Sequence, residues 1–219
     1  IPFSLIFWGQ QFVAAGVGAI LNASTPFFAV ITAHLLSDDK ATPAKLIGVI
    51  TGFFGVLVMI GPSVFSGSGS VWPYLAFLGA GLSYSLSSLY GRRFKAMGIA
   101  PLESAFGQLT ASSAVMLPVA LIFHGAFWMQ PVSAQSLAVL LALAVFSTAL
   151  AYVIFFQVLG SAGATNVQLV TLLVPVSAIV LGAIVLQERL APQHFLGMAI
   201  IAAGLMMIDG RIFARWRRI

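Results

Sequence analysis

The segment Ala15-Gly-Val-Gly-Ala-Ile-Leu-Asn-Ala-Ser-Thr-Pro26 returns 149 residues later as Ala164-Thr-Asn-Val-Gln-Leu-Val-Thr-Leu-Leu-Val-Pro175. Continued without a gap, Ala29, Pro43, Gly48, Gly55 and Gly61 fall on Ala178, Pro192, Gly197, Gly204 and Gly210. The acid-then-base pair Asp39-Lys40 falls on Glu188-Arg189. Most other positions exchange one small or aliphatic residue for another. The chain is an internal repeat, and the character of the repeated unit fixes its setting.

That unit is apolar almost throughout. The chain is 60% hydrophobic and only 7% charged, with a mean hydropathy of +1.07, whereas a soluble domain carries about 25% charged residues. Crossing about 30 Å of hydrocarbon takes roughly 20 helical residues, and most stretches between charges reach that length. Lipid offers backbone groups no partner, so each crossing must satisfy its own as a helix; barrel strands would alternate strictly, and these segments do not. The expected fold is therefore all-α, a polytopic membrane helix bundle. Its spans are a partial one ending near residue 12, then 14–36, 44–62, 72–91, 102–123, 136–158, 164–187 and 193–210.

Alternation assigns the sides. Lys40, Lys45, Arg92, Arg93, Lys95, Arg211, Arg215, Arg217 and Arg218 fall on one face and Arg189 alone on the other. Nine of ten basic residues on one face make it cytoplasmic, with the C-terminus inside. The repeat offset spans five helices, an odd number, so equivalent segments run in opposite directions as two inverted five-helix repeats. Residues 1–62 then form the end of the first repeat, 72–210 the second, and 211–219 a basic cytoplasmic tail. By the same offset the first repeat should begin about 78 residues before Ile1, which gives ten helices when complete and about seven and a half in this sequence.

Broken helices in paired repeats point to secondary transport, with the solute held near mid-membrane between the halves. The stretches Lys45-Leu-Ile-Gly-Val-Ile-Thr-Gly-Phe-Phe-Gly-Val56, Leu169-Val-Thr-Leu-Leu-Val-Pro-Val-Ser-Ala178, Gln187-Glu-Arg-Leu190 and Gly197-Met-Ala-Ile-Ile-Ala-Ala-Gly-Leu205 add a resemblance. Together with Ala19–Pro26 they resemble the two domain copies of the EamA-like transporters of the drug/metabolite transporter superfamily. No single motif is specific; the pairing at fixed spacing is. The resemblance implies ten helices, cytoplasmic termini, and export or exchange of small metabolites across a bacterial inner membrane.

Candidate substrate contacts follow from polarity at depth. Pro26 and Pro175 are expected to kink their spans, each freeing the carbonyl four residues back; those carbonyls belong to Asn22 and Thr171, which are repeat equivalents. Thr25 adjoins the first kink. A freed carbonyl in lipid needs a solute, water or a local side chain, so the pair reads either as cavity lining or as local repair of the kink. Tyr84, Ser87 and Ser88 share a helical face and read as a hydrogen-bonding wall, or as small residues permitting close helix packing. Gln108, Tyr152 and Gln168 are further polar groups within spans. Asp39 and Glu188, at span ends, read as caps or ion pairs.

No catalytic residue, cofactor or metal set is expected. The three histidines lie on separate segments, and a membrane enzyme would need converging acid–base or ligating groups. The alternative outside transport is an accessory membrane subunit. The expected partners are a small neutral, zwitterionic or hydrophobic metabolite, the lipid bilayer and, as an open option, a second copy in a homo-dimer. The +5 charge sits on one membrane face and implies no nucleic acid.

Overall fold

The computed structural model describes residues 1–61, 70–124, 132–151, 154 and 174–209. The described elements are helical. They are α1 (Pro2–Gly9), α2 (Ala15–Asn22), α3 (Thr25–Leu36), α4 (Pro43–Ile60), α5 (Trp72–Ala96), α6 (Pro101–His124), α7 (Ala134–Ala142), a π-helical continuation (Leu143–Leu150), α8 (Val174–Val185) and α9 (Pro192–Asp209).

The expected span 14–36 is present as Ala15–Leu36, with a tightened turn at its middle that divides it into α2 and α3. At Ala23–Ser24 the backbone stays right-handed but tightens into a turn, with the Ser24 N–H on the Leu21 carbonyl at 3.0 Å, and Pro26 occupies the first turn of α3, where its missing N–H costs nothing. The expected span 72–91 is longer in the structure. Arg92, Arg93 and Lys95 favour helix as well as apolar residues do, so α5 runs on to Ala96. It stops at Gly98, whose φ of +74° suits a residue without Cβ, and the Ile99 N–H closes the turn on the Phe94 carbonyl at 3.0 Å. The spans expected at 44–62, 102–123 and 193–210 correspond to α4, α6 and α9. Those expected at 136–158 and 164–187 are described only in part.

The described parts of the chain form two units, Ile1–Gly91 with Val170–Ile219, and Arg92–Leu169. In the first, Val17, Ile20, Leu21, Phe27, Val49, Val56, Met59, Ile60, Phe77 and Ile201 build one buried cluster. Its tightest seam joins α4 to α9. A Cβ on Gly204 would stand 2.6 Å from the Gly48 carbonyl oxygen, and one on Gly48 would stand 2.7 Å from that of Gly204. Gly55 and Gly197 face each other in the same reciprocal way, at 2.9 and 2.8 Å. The pairing order makes the helices antiparallel. Where a Cβ would clash, glycine carries a hydrogen aimed at the opposing carbonyl, a contact worth about 0.5–1 kcal/mol. The opposite face of α4 (Ile47, Ile50, Phe54, Leu57) is at least half exposed and wholly apolar, as a lipid-facing surface must be.

In the second unit, Glu103 accepts the Ala100 N–H at 3.1 Å and Ser133 accepts that of Ser136 at 3.0 Å, so α6 and α7 each start on a side-chain acceptor. Pro118 lies inside α6.

The seam predicts a contrast between two glycines. Gly204→Ala should destabilise the protein by about 1–3 kcal/mol, read as a lower melting temperature in detergent. Gly91→Ala, which has open space within 4 Å, should be neutral or stabilising by up to about 1 kcal/mol. Equal melting temperatures would show that the seam tolerates a side chain.

Candidate functional site

The α2–α3 break concentrates polar groups among apolar neighbours, and each backbone carbonyl there needs an account. Ser24, fully buried, donates from Oγ to the Leu21 carbonyl at 2.6 Å. Thr25 donates from Oγ1 to the Asn22 carbonyl at 2.7 Å. The carbonyl freed ahead of Pro26 is thus satisfied locally by a hydroxyl three residues on. What is left over is the Asn22 side chain. Its Oδ1 is buried and has no hydrogen-bond partner among the described residues, a state that costs roughly 1–3 kcal/mol unless something else supplies a donor.

Helix α5 lies against this region. Gly81 leaves room for the Phe28 ring and the Thr25 hydroxyl, since a Cβ there would stand 3.2 and 3.3 Å from them. One turn on, Ser85 and Thr32, both buried, share a hydrogen bond of 3.0 Å. The Tyr84 ring packs edge-on against Phe3, with centroids 6.1 Å apart.

Of the expected site residues, Asn22, Thr25 and Tyr84 lie on the neighbouring elements α2, α3 and α5. Ser87 and Ser88 are on α5 but exposed, one turn or less from the buried Ser85. Gln108 is on α6, in the second unit. Tyr152, Gln168 and Thr171 lie outside the described residues, while Pro175 is buried on α8. Sequence reasoning passed over Ser24, Thr32 and Ser85. The spacing Gly81–Ser85, small residues one turn apart, was the available signal, matched on α3 by Thr25, Phe28 and Thr32.

Two of the three histidines are used by backbone. His34 Nδ1 accepts the Ala41 N–H and His194 Nδ1 accepts the Ala191 N–H, both at 3.1 Å. Among the described residues, no three histidine, cysteine or carboxylate side chains gather as a metal set.

The model of the EamA-like transporter family matches residues 1–61 and 71–209. The chain belongs to that family. It is accordingly an integral membrane protein, consistent with the long apolar helices Ala15–Leu36, Pro43–Ile60 and Leu102–Phe123. Similar family proteins include the uncharacterized transporter YoaV of Bacillus subtilis, 26% identical over 93% of this chain and 69% of its own length. The uncharacterized transporter YvbV of the same species is 30% identical over 92% of this chain and 65% of its own. A probable amino-acid metabolite efflux pump of Escherichia coli is 25% identical over 99% of this chain and 74% of its own. The chain thus spans about two thirds of the length of YoaV and YvbV. No solved structure gives a significant match.

The α3–α5 contact carries a prediction that separates packing from site chemistry. A double-mutant cycle with Thr32→Val and Ser85→Ala should return a coupling energy of about 0.6 kcal/mol, and at most about 1.7. A coupling indistinguishable from zero would remove this hydrogen bond as a reason for the two helices to pair.

Proposed function

We propose that the protein is a secondary transporter of small neutral or zwitterionic metabolites, working by alternating access in a bacterial inner membrane, with the C-terminus cytoplasmic. The observation that carries this reading is the Asn22 amide, whose oxygen is buried without a partner beside a broken helix. A protein gains no stability by leaving such a group empty. A solute that brings an N–H or O–H there would recover the lost hydrogen bond, and Tyr84 supplies a ring and hydroxyl on the neighbouring helix. Few ionisable side chains fall within the spans, which favours a solute without large net charge. The E. coli relative is named as an amino-acid metabolite efflux pump, and amino acids belong to that class.

The reciprocal Gly48–Gly204 and Gly55–Gly197 contacts support two inverted repeats, the first ending with residues 1–62 and the second covering 72–210. Positions 48 and 55 are the repeat equivalents of 197 and 204. A two-fold axis between α4 and α9 would generate both contacts from one. Alternating access then amounts to rocking one repeat against the other, exposing the solute to each side in turn.

Asn22→Ala and Tyr84→Phe, tested in cells by mass-spectrometric profiling of exported amino acids, should each lower export about tenfold, the loss of one buried hydrogen bond to the solute. Expression and melting temperature should stay near those of the parent protein. Undiminished export in both variants would remove these residues from the site.

A further inference from the structure

Helix α2 is anchored to a residue from the far end of the chain. Its eight residues run from the turn at 10–14 to the tightened, still right-handed turn at 23–24. Its N-cap, Ala14, offers no side-chain acceptor. The acceptor comes from Glu188, whose Oε1 takes the Ala15 N–H at 2.8 Å, a contact between residues 173 positions apart. The geometry that delivers this carboxylate is specific. Gln187 adopts φ +56°, and the Leu186 and Glu188 N–H groups both fold back onto the Gly182 carbonyl, at 3.1 and 3.0 Å. Gly182 then leaves the space the carboxylate occupies, since a Cβ there would stand 2.6 Å from Glu188 Oε2. Beside this bond, Ile179 and Leu190 close over Gly16; a Cβ there would meet them at 3.0 and 3.3 Å.

We propose that Glu188 is a positioning residue of the transport cycle, a latch that holds the α2 half-helix against α8 and whose release opens this end of the molecule to water. The proposal rests on the transport reading, because only a transporter needs this end to open. Val17, Ile20 and Leu21 seat the body of α2 in the buried cluster, whereas its first turn, next to the turn at 10–14, is held towards α8 by one charge-assisted bond and the Ile179 and Leu190 contacts, which bias this end of the helix towards the closed state.

The test uses the natural absence of cysteine. Val17, 3% exposed on α2, is replaced by cysteine, and labelling by a water-soluble maleimide is timed on the whole chain in detergent. Val56→Cys, at a position 2% exposed in α4, serves as a distant control. Glu188→Ala should speed labelling at position 17 at least about fivefold and leave position 56 unchanged. Glu188→Gln, which keeps a carbonyl acceptor for the Ala15 N–H, should restore the slow rate. Unchanged labelling at 17 in Glu188→Ala would overturn the latch. Equal acceleration at 17 and 56 would also overturn it, by showing that Glu188 holds the whole fold. Fast labelling in Glu188→Gln would overturn the acceptor role. The assay needs no substrate, so its failure is distinguishable from a failure of the transport reading, which the export profile tests by itself.

Discussion

The close backbone approach of α4 and α9 is the constraint on which the first unit depends. In lipid, apolar side chains gain little by leaving one hydrocarbon environment for another, so helices associate through dispersion and backbone contact. Each glycine within a helix forgoes roughly 0.5–1 kcal/mol relative to alanine, and the seam holds Gly48, Gly52, Gly55, Gly197 and Gly204. That intrinsic cost of a few kcal/mol is offset because two backbones can meet with no side chain between them. The same absence of side chains serves a neighbour, since the Phe27 ring fills the space that one on Gly52 would need. Phe27 and Met59, both fully buried, then extend the seam into the hydrophobic cluster.

A bundle secured at one seam leaves the other helices free to be irregular, and α2–α3 uses that freedom. Breaking a helix in lipid exposes carbonyls that must be met. Ser24 and Thr25 meet those of Leu21 and Asn22 within three residues of chain. The break is therefore satisfied from within, and its polar surplus is confined to one amide. Had Asn22 served to repair its own kink, its side chain would carry the bonds that the two hydroxyls carry instead.

Much of this was legible in the sequence because the bilayer reduces folding to length and polarity. The spans at 15–36, 43–60, 102–123 and 192–208 follow from apolar runs between charges, and Gly48, Gly55, Gly197 and Gly204, which build the seam, are among the positions that the repeat matches. The exact break was not legible. Proline marks a disturbance but not which upstream carbonyls find hydroxyls, and that choice placed the interruption at Ala23–Ser24 rather than at Pro26. The end of α5 was missed for a related reason: hydropathy reports where the membrane stops, whereas a helix stops where its backbone is capped, here at Gly98. The buried Ser85–Thr32 pair was hidden because helical phase alone does not say which side of a serine-rich helix meets a partner. Glu188 reads as a cap or an ion pair from its place at a span end, but that its partner is the Ala15 N–H could not be read, since nothing local connects residues so far apart.

The fate of the charged groups gives the remaining polar ones their meaning. Glu103 and Glu188 accept N–H groups at the starts of α6 and α2, while the Lys40 ammonium donates to the His34 and Ser37 carbonyls at the end of α3, at 3.0 and 3.1 Å. Negative groups at helix starts and a positive one at a helix end are what the helix dipole and its orphan backbone groups favour. Asp39, in the same repeat slot as Glu188 but one methylene shorter, lies exposed 3.9 Å from Lys45; one slot therefore serves two local purposes. Charges are rare in this chain, and these are employed in ending helices. Among the described residues, the buried Asn22 Oδ1, which ends no helix and has no hydrogen-bond partner, is an exception to that economy.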